Sequence, residues 1–191
     1  MRTRTRYRML AILPALFTLA GCTQQRQAPA LQTQLSQLNQ QLQTLTDQAI
    51  ALEQQNSLNI QSTSGVYLFP AAQSHAILQS SIGKLNISLS HVEPEANGTR
   101  ALLHIRTSDA IGLPAFSAQL DWGQIDPVSG KPLIRDIQTQ SFIVTPTLLP
   151  KPEAVVELRL SGLSPEQLGF IRLHRLEEVP PPPPVAAIEA P

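Results

Sequence analysis

Between Leu31 and Leu52 apolar residues recur at alternating steps of four and three: Leu31, Leu35, Leu38, Leu42, Leu45, Ala49 and Leu52. That 3.5-residue period predicts an α-helix over 31–59 carrying a coiled-coil seam. With Leu35 at heptad position a, Leu31, Leu38, Leu45 and Leu52 fall at d, and Asn56 (a) and Asn59 (d) end the apolar run. Glutamines 34, 41, 48 and 55 occupy g, while Gln32, Asn39, Thr46 and Glu53 occupy e. Charge pairing therefore cannot select a partner, and leucine at both a and d leaves the number of strands open. Two readings stand: self-association through Leu31, Leu35, Leu38, Leu42, Leu45 and Leu52, or an amphipathic helix lying on the chain's own domain. The narrowness of the stripe favours another helix over a sheet face.

Beyond residue 62 the period drops to two. "KLNISLSHV" (84–92) puts Leu85, Ile87 and Leu89 on one face, and "RALLHIR" (100–106) aligns Ala101, Leu103 and Ile105. Asn97-Gly98 between them signals a hairpin, because both residues tolerate positive φ. "FSAQLDW" (116–122), "RDIQTQSFIV" (135–144), "EAVVELRL" (153–160) and "GFIRLHRL" (169–176) alternate in the same way. Six or seven short strands between Pro/Gly turns predict a mainly β domain over 62–178, an antiparallel β-sandwich of immunoglobulin/fibronectin-like type behind the long N-terminal helix. One capped turn is expected at "SPEQL" (164–168), where Ser164 and Gln167 make a capping box.

The amino terminus reads as a targeting segment. "MRTRTRYR" is a basic region and "MLAILPALFTLA" (9–20) an apolar one, too short for the ~20 residues of a bilayer-spanning helix and interrupted by Pro14. It ends in Leu19-Ala20-Gly21-Cys22, which resembles the bacterial lipobox, with cleavage between Gly21 and Cys22 and lipid on the cysteine sulfur. The small residues let the backbone enter a peptidase, and a thiol is a good nucleophile for lipid transfer. An ordinary signal peptide with an incidental cysteine is the alternative. With a single cysteine in the chain, neither a disulfide nor a thiolate metal set is available. Residues 1–21 are thus expected to be a lipoprotein signal peptide and 22–30 a lipidated cysteine plus flexible stalk. By enteric rules, Thr23 in place of aspartate favours the outer over the inner membrane.

Composition changes the picture at two points. Hydrophobic residues make up 42% of the 191, ordinary for a globular chain, while 17 prolines mark turns and a linker. The formal charge of zero includes Arg2, Arg4, Arg6 and Arg8. Their removal with the signal leaves ten basic residues against fourteen acidic ones, about −4, which disfavours nucleic acid as a partner. Five consecutive prolines (180–184) open a 179–191 tail, read as disordered, either a ligand for an aromatic groove or a spacer.

Several segments together, "QQNSLN" (54–59), "SGVYLFP" (64–70), "SIGKLNISL" (81–89), "LPAFSAQLDWGQI" (113–125) and "QLGFIRLH" (167–174), resemble the YajI family of bacterial lipoproteins. The resemblance implies a lipid-anchored envelope protein whose C-terminal domain has no assigned activity, with Cys22 the one functional residue to carry over.

Catalytic motifs are sparse. His75, His91, His104 and His174 lie in separate segments, and no G-x-S-x-G, P-loop or H-E-x-x-H occurs. His104 and His174 are expected on solvated strand faces, opposite the apolar alternation. Pro114, Phe116 and Trp122 mark either a surface for an extended ligand or the core. The expectation is a non-enzymatic interaction or scaffold module, without cofactor or metal, held to the membrane through Cys22 and facing the periplasm. It would self-associate through 31–59 and meet an unknown envelope protein. The rivals are a binding domain for a small ligand or peptidoglycan fragment and a hydrolase without recognisable motifs.

Overall fold

The computed structural model describes residues 27–108, 112–145 and 151–180. Signal peptide, Gly21, Cys22 and residues 181–191 of the tail lie outside them. The chain divides into two compact units, the first ending at Thr44 and the second starting at Leu45. In the first unit the described residues are helical. In the second, the rest of that helix joins eight strands.

The helix, α1, runs Gln27–Gln61, about 52 Å at 1.5 Å per residue. The segment read as a stalk is thus helical from Gln27. The strands are β1 (Val66–Leu68), β2 (His75–Ser80), β3 (Gly83–Glu95), β4 (Gly98–Thr107), β5 (Phe116–Gly123), β6 (Gln138–Val144), β7 (Glu153–Ser161) and β8 (Phe170–Glu178). They form two four-stranded sheets, β1-β8-β5-β6 and β2-β3-β4-β7, antiparallel throughout. Strand β2 (HAILQS) is an addition to the strands read from sequence; exposed Ile77 between buried Ala76 and Leu78 hides the alternation.

The two inner faces are the alternating residues that the pattern singles out. Leu85 and Ile87, Ala101, Leu103 and Ile105, Phe116 and Leu120, Leu158 and Leu160, and Ile171 and Leu173 are all buried between the sheets. A burial of this kind contributes ~1.5–3 kcal/mol per large aliphatic side chain.

The β3–β4 hairpin falls where Asn97-Gly98 predicts one, but shifted by a residue. Glu95 pairs with Gly98, so Ala96 and Asn97 form the turn and Gly98 opens β4 with extended backbone. Glycine is required there for space: a Cβ would collide with the Leu160 carbonyl oxygen of the neighbouring strand. Further along, a bulge between Ser90 and Glu93 shifts the register, with His91 at φ 49°. At "SPEQL" the Gln167 side chain accepts the Ser164 N–H (3.1 Å), half of the expected capping box. The Ser164 hydroxyl donates instead to Glu166 (2.8 Å), and the segment remains a turn.

Candidate functional site

Three surfaces follow from this framework. The first is the leucine seam. In the first unit Leu31, Leu35, Leu38 and Leu42 are 52–58% exposed, and in the second Leu45 is 61% and Leu52 36% exposed. All but Leu52 of these leucines stand more than half in water.

The second is the face by which the second unit's part of α1 docks on the sandwich, and it is a different face. Ala51 is buried and Leu58 half-buried in a cluster with Phe69, Ala72, Tyr67, Ile125 and Phe170. Gln55 is fully buried; its Oε1 accepts the Phe69 N–H (2.8 Å) and its Nε2 donates to Ser74 Oγ (3.0 Å). Asn59 Oδ1 accepts the Tyr67 N–H (2.7 Å), and Asn59 Nδ2 donates to the Tyr67 carbonyl (2.9 Å). Asn59 thereby serves as the missing neighbour of edge strand β1, and Gln55 holds Phe69 just past its end. Heptad reading places Asn59 as the end of a seam and Gln55 as a neutral flank; the structure shows both as anchors. Sequence offered one signal, amides recurring at i and i+4 on a helix just ahead of an apolar strand.

The third surface is a polar hollow of about 460 Å³ on the outer face of the β2-β3-β4-β7 sheet, lined among others by His75, Asn86, Ser88, Ser90, His104 and Glu153. Ser90 Oγ lies 2.7 Å from His104 Nε2, and His104 Nδ1 lies 3.0 Å from Glu153 Oε1. Arg106 donates to Glu153 Oε2 at 2.9 Å. The hydrogen bond from His104, then that from Arg106, hold the Glu153 carboxyl below its ordinary value of 4.5. These residues stand on β3, β4 and β7, far apart in sequence, so no contiguous motif reveals them.

The remaining candidates are structural. Phe116 and Trp122, read as a ligand surface or core, are both core: Phe116 is fully buried, and Trp122, 3% exposed, donates its indole N–H to the Ser161 carbonyl (3.2 Å). Neither offers a surface. His104 is only half-exposed within its relay, and His174 is buried, against the expectation of a solvated face. The Gly65 backbone packs on His174, and its Nε2 lies 2.9 Å from Asp121 Oδ2, an ion-pair distance without the alignment of a hydrogen bond. Among the described residues no three His, Cys, Asp or Glu side chains converge to hold a metal ion. Nor is any described helix long and apolar enough to cross a membrane.

A mainly β domain of two antiparallel four-stranded sheets, preceded by a long helix with an exposed leucine row, defines the class. Within it, the chain belongs to the family described as protein of unknown function DUF3251, whose pattern matches residues 22–187. It is 36% identical over 170 residues to the uncharacterized lipoprotein YajI of Escherichia coli (strain K12), covering 89% of this chain and 95% of that one. The solution NMR structure of yajI from Escherichia coli superposes with a TM-score of 0.65 at 34% identity, over 74% of this chain and 84% of that one. The Salmonella enterica trimeric lipoprotein SadB shares the fold, with a TM-score of 0.52 at 20% identity over 81% and 82% of the two chains.

Proposed function

We propose that this is a lipid-anchored cell-envelope protein that works as an interaction module. Cys22 is its lipidation site, Gly21–Cys22 the cleavage point, and α1 the surface through which copies associate. The observation that carries the assembly is the separation of faces on α1. Ala51 and Gln55 serve the protein's own sandwich, while the leucines from Leu31 to Leu45 stand exposed on the helix. With Glu53 the one charge among the e and g positions, a symmetric association in which no charge partner is chosen is favoured. The trimeric state named for SadB supports three copies around the leucine seam.

Lipidation is supported by the lipobox-like Leu19-Ala20-Gly21-Cys22 and by the lipoprotein relatives. It would place the sandwich in the periplasm, with Thr23 favouring the outer membrane. This role rests on binding surfaces and asks no chemistry of them.

The test is crosslinking of the full-length protein in envelope membranes. Wild type should give a discrete oligomer, and the Leu38→Asp/Leu45→Asp double variant only monomer. A monomeric wild type would remove the assembly. Mass spectrometry of the purified protein should show an acylated Cys22 as its first residue; an unprocessed, unmodified amino terminus would remove the anchor.

A further inference from the structure

With His104 neutral, the hydrogen bonds of the polar hollow take one direction. An ionised carboxylate only accepts, so Glu153 requires the proton of a neutral His104 to sit on Nδ1. Nε2 is then an acceptor, and the 2.7 Å contact must be the Ser90 hydroxyl donating to it. Ser90 has one proton, so in this arrangement His91 Nδ1, 3.0 Å from the same oxygen, donates its own N–H. Ser90 Oγ is thus bonded to a base that can take its proton and to a donor that stabilises the oxygen once that proton has gone.

We propose that Ser90, His104 and Glu153 form an acyl-transfer site, with Ser90 as nucleophile, His104 as general base and Glu153 as the positioning residue. Its substrates are small carboxylic esters. The geometry meets three requirements of such a site: nucleophile to base, base to orienting carboxylate, and a hollow in which a substrate can lie. Arg106 on the second oxygen of Glu153 fixes that carboxylate. The bulge after Ser90, with His91 held at φ 49°, shifts the strand's register beside the site, as bulges next to reactive groups do.

In the first step Ser90 Oγ bonds to the ester carbonyl carbon while its proton passes to His104 Nε2. The bond to the leaving alcohol breaks, and the same proton moves to the departing alkoxide. Water then attacks the acyl-serine, losing a proton to Nε2. Cleavage of the acyl–Oγ bond releases the carboxylic acid, and that proton returns to Ser90. Ser88 and Asn86 line the same hollow, and a hydroxyl and an amide are groups able to donate to the carbonyl oxygen. This activity is independent of assembly through α1, so either can fail alone.

The experiment is labelling of the full-length protein, in detergent, with a fluorophosphonate probe, whose reactive phosphorus is attacked only by an activated hydroxyl. Peptide mass spectrometry should find one adduct, on Ser90, absent in Ser90→Ala. His104→Ala should slow labelling by about hundredfold, the usual worth of a general base. Glu153→Gln should slow it by about tenfold and Glu153→Asp restore part of the rate, with circular dichroism unchanged because all three side chains lie outside the core. Absence of a Ser90 adduct, or labelling as fast without His104, would overturn the proposal.

Discussion

Asn59 pairs with both backbone groups of Tyr67, accepting its N–H at 2.7 Å and donating to its carbonyl at 2.9 Å. A side-chain amide carries the same donor and acceptor as a peptide unit, so it can complete a strand edge with a single residue. Strand β1 has only three residues and pairs with β8 on one side. Without Asn59 its outer groups would have no partner where the helix has already excluded water. The Asn59→Ala variant should therefore lose about 2 kcal/mol, most of it the penalty for stranded backbone groups. Urea unfolding would show a lower midpoint at unchanged slope, and exchange of the Tyr67 amide proton would accelerate.

Gly65 and Gly162 separate two costs of adding a side chain. Both have positive φ, +91° and +84°. At Gly65 a Cβ would lie 2.5 Å from the Leu173 carbonyl oxygen and 2.6 Å from His174 Cβ, whereas at Gly162 nothing lies within 4 Å. Gly162→Ala should cost about 1 kcal/mol of backbone strain alone. Gly65→Ala adds a clash with a paired strand, and a loss above about 3 kcal/mol is expected in thermal or urea unfolding.

The sandwich was legible because each long strand alternates with a period of two, and its apolar half is the core. The exceptions have physical causes. β2 carries only two buried apolar positions, and His174 is covered by a glycine backbone that no local pattern announces. The relay was hidden by register. Any two-residue turn at Asn97 would, without an extra residue, pair the inward Leu103 with an outward position of β3 and turn one strand inside out. The bulge at His91 and Val92 absorbs that mismatch, pairing Leu89 with Leu103 and Ser88 with His104, and so brings Ser90 beside the imidazole. Turn and alternation together could have demanded the bulge; its place in the strand depends on tertiary packing.

Acid should weaken the protein through Glu153. Its carboxyl titrates below the ordinary 4.5 because His104 and Arg106 bond its charged form. A depressed folded value means stability that is fully present above the unfolded value and is lost as pH falls through the folded one. Melting temperature should therefore decline on acidification below about pH 5. Glu153→Gln should flatten that decline by starting from a lower melting temperature at neutral pH, where the wild type carries the full contribution, and by meeting the wild type in acid. An equally steep acid limb in the variant would assign it to other carboxylates, such as Asp126, whose charge is held by the Ser129 and Val128 N–H groups.

The two faces of α1 predict a separation of stability from association. Ala51 is 7% exposed and packed with Phe69, Ala72 and Phe170, leaving no room for a longer side chain. Ala51→Leu should overpack this cluster and cost about 1–3 kcal/mol in unfolding. Its leucine seam would stay intact, so sedimentation at temperatures where it remains folded should find the wild-type oligomer. Leu45, 61% exposed, belongs to neither cluster of the core. Leu45→Asp should abolish or weaken association through a charge placed in the seam, yet leave the unfolding of the isolated protomer within about 0.5 kcal/mol of wild type. If Leu45→Asp instead unfolds the sandwich, the seam belongs to the protomer's own core. If Ala51→Leu dissociates the copies while remaining folded, the two faces are one interface.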